Sequence, residues 1–241
     1  MEPIRSLRNQ AVVEAGRLHR ARERKRLRLT LIEGPHILAE AHEAGADIRT
    51  VFTLADDPHR HRWHNVRLVD QQVMRKLGGT SHPRGPVAVM SIPAPRQPRP
   101  DQDTLVLWGL SDPGNVGTII RTAAGFGLAV LIGPRTCDPW APKVLRAAAG
   151  AHFRLRLGSI EGPDSLGKRL AAAVVGGGVA PYELGPGPWQ VLIGSEAHGL
   201  DPTLLNRVTE RVTIPMPGGT ESLNAAIAAS IIAYELGLRR H

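Results

Sequence analysis

Apolar and polar positions along the chain fall into two successive strand–helix series. In the first, LTLIEG (29–34) reads as a strand, PHILAEAHEAG (35–45) as a helix and IRTVFTL (48–54) as a strand. VRLV (66–69), a helix DQQVMRKLGG (70–79) and a strand VAVMSI (87–92) continue the alternation, which implies an α/β layer structure. PAPRQPRPDQD (93–103) then carries four prolines and no apolar periodicity, so it reads as a stiff, extended linker. The second series opens with TLVLWGL (104–110), an almost continuous apolar run of the kind buried on both faces of a parallel sheet. Strands at AVLIG (129–133), FRLRL (153–157), VVGGGVA (174–180), QVLIG (190–194) and RVTIP (211–215) follow. Helices are expected near 117–125, 142–150, 164–173 and 203–207, with a last one from about 222 to 239. The expected domains are therefore 1–92 and 104–241, joined by the 93–103 linker.

At 241 residues, with 42% hydrophobic and 22% charged residues, the chain can bury a sizeable core. Charge changes the picture more. Residues 1–30 hold nine Lys/Arg against three acids, a local net charge of +6 out of +8 for the whole chain. Cations clustered in this way favour a phosphate backbone through counterion release, against a plainer reading as a solvated helix. The single cysteine, Cys137, allows no internal disulfide. MEPIRSLRNQ has no apolar signal-peptide core, and the apolar stretch near 225–233 falls short of the roughly 20 residues that span a bilayer. A cytoplasmic protein without membrane association is expected.

In open α/β sheets, ligands bind beyond the carboxyl ends of the strands. Three such ends carry unusual chemistry. WGLSDPGNVGTIIRTAAGFG (108–127) runs from a strand through a Gly/Pro/Asn loop into a helix bearing Arg121, an arginine among apolar residues that needs an anionic or carbonyl partner or a route to water. It is neither a dinucleotide fingerprint nor a P-loop, lacking G-x-G-x-x-G and G-K-[ST]. VLIGSEAHGL (191–200) ends a strand in Gly-Ser-Glu. PMPGGTESLN (215–224) places a Gly-Gly turn and three polar side chains before an Ala-rich helix, for which Ser222 is a candidate N-cap.

The stretches DPGNVGTIIRTA (112–123), IGSEAHGL (193–200) and IPM (214–216) with ESLNAAIA (221–228), in this order, resemble the three motifs of the SpoU (TrmH) family of RNA ribose 2′-O-methyltransferases, within the SPOUT superfamily. The first series, with its basic helix and LIEGPHILAEA (31–41), is similar to the small α/β substrate-binding domain that often precedes them. The resemblance implies a trefoil-knotted C-terminal domain with a mostly parallel sheet, a homodimer, and S-adenosyl-L-methionine as cofactor. The cofactor would lie against Gly194, Ile214 and Leu223, with Ile193, Met216 and Ser222 nearby. Asn115, Arg121, Glu196, Ser222 and Asn224 match the polar positions the family uses around the reacting ribose. The implied partner is RNA, ribosomal RNA favoured over transfer RNA. Two departures stand out: Ala148 and Ala226 occupy positions where the family often has serine.

A guanidinium stays protonated at neutral pH, so Arg121 is better suited to clamp an RNA phosphate and stabilise a developing alkoxide than to act as base. Asn115 can position the ribose and Glu196 can hold Arg121. The histidines of HRHRWH (His59, His61, His64) lack a completing ligand set and read as a basic surface patch rather than a metal site. Cys137 shows no sign of a neighbouring base, and His198 is not assigned a role.

Overall fold

The computed structural model describes residues 2–79, 83, 85–195 and 198–239. The chain forms two compact units: residues 1–94 with Trp140–Phe153, and Pro95–Pro139 with Arg154–His241.

The first unit contains helices α1 (Gln10–Arg17), α2 (Ala21–Leu27), α3 (Pro35–Glu43) and α4 (Gln71–Leu77) around strands β1 (Leu29–Glu33), β2 (Ile48–Thr53), β3 (Val66–Leu68) and β4 (Val87–Ser91). The strand order is β1-β4-β2-β3, with β4 antiparallel to both neighbours and β2 parallel to β3. Successive side chains of a strand point to opposite faces, and the core divides accordingly. Leu31, Phe52, Val87 and Val89 pack with Val12, Ala15 and Leu18 of the α1 segment and with Val73, Met74 and Leu77 of α4. Ile32, Val51, Ala88 and Met90 pack on the other face with Ile37, Leu38 and Ala41 of α3. Leu145 and Phe153 join that second cluster. They come from Trp140–Phe153, which holds helix α6 (Pro142–Ala147) and was expected in the second series of elements. Thr30 Oγ1 donates to the Trp140 carbonyl (2.6 Å) and Arg146 pairs with Glu33 (3.1 Å), fixing the segment to β1.

The basic N-terminal segment is thus two helices, and it is partly core. Eight of its nine cations are exposed; Arg24 is buried and donates to the Leu18 and His19 carbonyls.

The second unit is built on six parallel strands in the order β10-β8-β9-β5-β6-β7. These are β5 (Thr104–Leu107), β6 (Ala129–Ile132), β7 (Leu157–Ser159), β8 (Leu170–Ala173), β9 (Gln190–Ile193) and β10 (Glu210–Val212). Helices α5 (Pro113–Gly125), α7 (Pro202–Leu205) and α8 (Ala225–Leu238) complete it. Val106, Leu131, Leu170, Ala172 and Leu192 meet Leu200 and Leu204 on one face. α5 packs on β6, and α8 packs on α5. The mostly parallel sheet expected from the apolar runs is present.

Several local expectations need correction. LAAA (170–173), expected to be helical, is β8, because a sheet position buried on both faces outweighs the helix propensity of alanine. VVGGGVA (174–180), expected as a strand, is a loop after β8 whose Val179 makes one isolated bridge to Val212. The strand expected at 153–157 lies at Leu157–Ser159. The proline-rich stretch is extended but not free: the Arg96 N–H donates to the Leu157 carbonyl (2.8 Å) and Gln97 Nε2 to that of Ser159 (3.1 Å).

Candidate functional site

Because the sheet of the second unit is parallel, the carboxyl ends of its strands open on one edge, and two adjoining cavities lie there. The first, of about 450 Å³, is walled by Ala173–Val175 after β8, Ile193–Ser195 after β9, Val212, Ile214 and Met216 from β10 onward, and the start of α8. Ile193, Gly194, Ile214, Met216, Ser222 and Leu223 all line it, so the six residues singled out for the cofactor converge on one space. Gly194 is needed by close approach: a Cβ there would stand 2.5 Å from the Gly199 carbonyl carbon and 2.8 Å from the Leu200 nitrogen. The Ser195–Gly199 backbone pair, with hydrogen bonds of 3.1 and 2.9 Å, brings those atoms in.

Among the described residues no charged side chain lines this cavity. Aliphatic walls with a few hydroxyl and amide groups suit an adenosyl group, whereas a polyphosphate would be buried without a counter-charge. The volume falls in the range of small-molecule and cofactor sites. The residues therefore fit S-adenosyl-L-methionine: Ile214 and Leu223 offer apolar wall, and Gly194 lets the Gly199–Leu200 backbone close in beside it.

The second cavity, about 800 Å³ and more polar in its lining residues, borders the first and shares Ser195 and Gly199 with it. Trp108, Ser111, Asp112, Asn115, Arg135, His198 and Asp201 are among its lining residues. Asn115 is not in a loop: it lies in the first turn of α5, whose N-cap Asp112 accepts from the Asn115 N–H (2.8 Å). Asn224, not Ser222, caps α8, accepting from the Ala226 and Ile227 N–H groups at 2.9 and 3.3 Å. The helix therefore begins at Ala225 rather than 222, and Ser222 lies before the cap on the wall of the first cavity. Asn224 Nδ2 also donates to Asn115 Oδ1 (3.1 Å), linking the two cavities across two motifs 109 residues apart.

Arg121 is not brought into this group. It is exposed on α5, lines neither cavity, and forms no hydrogen bond or ion pair among the described residues. Its route out of the apolar TIIRTAA stretch is to solvent. Glu196 lies outside the described residues. Among the described residues no group of His, Cys, Asp or Glu could hold a metal, and no helix is long and apolar enough to cross a membrane. Ala148 and Ala226 are both buried, positions at which a hydroxyl would need its own partner. Sequence reasoning missed Trp108, Arg135 and Asp201 as cavity residues. Arg135 follows β6 at the same sheet edge, so the strand-end rule pointed to its loop although no motif did.

The match to known proteins agrees with this geometry. Residues 103–234 match the SpoU rRNA Methylase family, and residues 9–88 match the MRM3-like substrate binding domain. The chain belongs to the SpoU rRNA methylase family. It is 30% identical to the 23S rRNA (guanosine(2553)-2′-O)-methyltransferase RlmP of Bacillus subtilis (strain 168), covering 98% of this chain and 99% of the relative. Its fold is similar to that of an AdoMet-bound rRNA methyltransferase from Sinorhizobium meliloti (TM-score 0.88, 25% identity, 100% of this chain and 98% of the other). It is also similar to that of the SpoU methyltransferase AviRb from Streptomyces viridochromogenes in complex with AdoMet (TM-score 0.85, 25% identity, 97% and 98%).

Proposed function

We propose that the protein transfers a methyl group from S-adenosyl-L-methionine to a ribose 2′-hydroxyl of RNA, with ribosomal RNA as substrate. The observation that carries this reading is a cavity whose described lining residues are all uncharged, joined through the Asn224–Asn115 hydrogen bond to a polar groove. The relatives named for rRNA methylation, one of them matched over nearly its whole length, support the choice of RNA.

The bound cofactor would supply an activated methyl on its sulfonium sulfur. What remains for the protein is to hold the acceptor in line and to manage its proton. Asn115 and Asn224, fixed to each other and to the starts of α5 and α8, are placed to orient a ribose at the junction of the cavities. Arg121 would clamp an adjacent phosphate and stabilise the developing alkoxide, the hydroxyl proton passing to solvent while the methyl's departure leaves the sulfonium sulfur as a neutral thioether. Since Arg121 stands exposed on α5, it would reach a reacting ribose from a neighbouring copy's side. A homodimer fits this. α8 exposes Ile227 (51%), Tyr234 (47%) and Leu238 (50%), with Phe126 beside Tyr234 (ring centroids 5.6 Å apart), an apolar face suited to a second copy. The trefoil knot and action in the cytoplasm belong to the same proposal.

Incubation with labelled S-adenosyl-L-methionine and unmodified ribosomal RNA should label RNA, and digestion should place the label on a ribose. An oligonucleotide with a 2′-deoxy target nucleotide should accept nothing. Label on a base, or none on ribosomal RNA while transfer RNA is labelled, would refute the respective part of the reading.

A further inference from the structure

Among its described lining residues the second cavity has two carboxylates, and both are occupied. Asp112 caps α5, and Asp201 caps α7, accepting from the Thr203 N–H (2.8 Å) and Oγ1 (2.7 Å). Thr203's side-chain and backbone hydrogen bonds, with a smaller pull from the Arg135 charge, hold the Asp201 carboxyl below the usual carboxylate range. Of the described lining residues Arg135 is the one permanent cation. It is exposed and makes no hydrogen bond or salt bridge among the described residues.

Its backbone is unusual. Arg135 has φ 60°, in the left-handed region that a glycine holds without steric cost. The flanking residues enforce that conformation. The Gly109 N–H donates to the Pro134 carbonyl (3.1 Å) and to Thr136 Oγ1 (3.1 Å), Thr136 Oγ1 donates to the Leu107 carbonyl (2.8 Å), and the Cys137 N–H donates to the Leu110 carbonyl (2.8 Å). The loop after β6 is thus stitched to the loop after β5, and the chain corner it forms aims a strained arginine into an open groove. Strain of this kind persists where neighbours over-determine it, and it clusters at ligand-binding sites.

We propose that Arg135 binds a backbone phosphate of the RNA next to the target nucleotide, and so sets the register in which the ribose enters. The inference rests on the methyl-transfer reading above. Arg135 does not line the cofactor cavity, whereas Asn115 and Ser195 stand at or next to the junction. A chain whose ribose sits at the junction continues along the groove, where its next charged group is a phosphate. A guanidinium with no hydrogen bond or salt bridge among the described residues, near two carboxylates engaged in helix caps, matches that group in charge and shape.

The test compares wild type with Arg135→Gly and Arg135→Lys in the full chain. Measured are S-adenosyl-L-methionine affinity, melting temperature, and KM and kcat for ribosomal RNA at several salt concentrations. Arg135→Gly should melt no lower than wild type, since glycine relieves the left-handed corner, and should bind cofactor unchanged. Its KM should rise about tenfold with kcat little altered. The slope of log KM against log salt should shrink by about 0.7 to 0.9, the share of one phosphate. Arg135→Lys should keep most of that slope. An unchanged KM and slope overturn the proposal, as does a lowered melting temperature for Arg135→Gly, which would make the arginine a structural counter-charge for Asp201. Altered preference for the target base with an unchanged slope would make it a base reader, again overturning the phosphate assignment. Wild type that methylates no ribose defeats the functional reading itself, and is thereby told apart from these results.

Discussion

Asn224 carries two jobs that one substitution can separate. Its Oδ1 satisfies two free N–H groups at the start of α8, while its Nδ2 reaches Asn115. Serine caps a helix about as well as asparagine but is too short to make the second contact. Asn224→Ser should therefore melt within a few tenths of a kcal/mol of wild type, as asparagine and serine are near equals at the cap. Methyl transfer should fall by roughly 10²-fold, the usual scale for losing a group that orients or stabilises the transition state. Thermal unfolding beside single-turnover transfer would check this, and equal loss in both would mean that the residue is only a cap. The polar residues around 222–224 were conspicuous in the sequence because they interrupt an apolar run. Which of them capped the helix was not legible, since Ser222 and Asn224 have equal intrinsic claims and the choice depends on where the chain leaves the cavity wall. Gly194 shows the same limit. Its place in a motif was visible, but the Gly199–Leu200 backbone that forbids a side chain there comes from a turn whose closeness only folding reveals.

At the scale of elements, α5 and α8 depend on small residues. Ala226, Ala229, Ala233 and Gly237 share the buried side of α8 with Ile232 and Leu236, and at Gly237 an added Cβ would come within 2.8 Å of Phe126 Cβ. Thr122 and Ser230 hydroxyls meet at 3.1 Å across the pair. Ala229 is fully buried, so Ala229→Leu should overpack the contact and cost about 1–3 kcal/mol in urea unfolding. An unchanged midpoint would show that the helices have room to part. Elements with strong periodicity or flanking turn signals were readable: β1, α3, β2 and α4 lie within a residue or two of expectation. β8 was not, because four residues reading LAAA say helix locally and become a strand only between β9 and β10. The N-terminal cations likewise hid a core stripe. Val12, Ala15 and Leu18 recur at spacing three, a helical face that the density of arginines obscures.

At the scale of the whole molecule, charge and connectivity separate. The eight exposed cations of the N-terminal segment give the first unit a surface suited to phosphate, while Arg24 serves the fold through the Leu18 and His19 carbonyls. The same chain passes three times between its two units, after Ala94, after Pro139 and after Phe153. Sequence reading placed a single crossing in the proline-rich stretch, because prolines mark a boundary locally and nothing local marks a helix that leaves one core for another. A fragment comprising residues 104–241 would carry Leu145 and Phe153 without the Ile32, Val51 and Met90 surface that covers them, and would leave the Arg146 charge without Glu33. It should aggregate or melt well below the full chain in light scattering and calorimetry. A fragment as stable as the full chain would mean that the segment repacks.

Those three passages also make the protein unusual to take apart. Cutting one linker frees neither half, and no single truncation point yields two complete hydrophobic cores. Gene fusions, circular permutations or domain exchanges with relatives would have to carry Trp140–Phe153 together with β1 and α3, because what is one piece in space is two pieces in the reading frame.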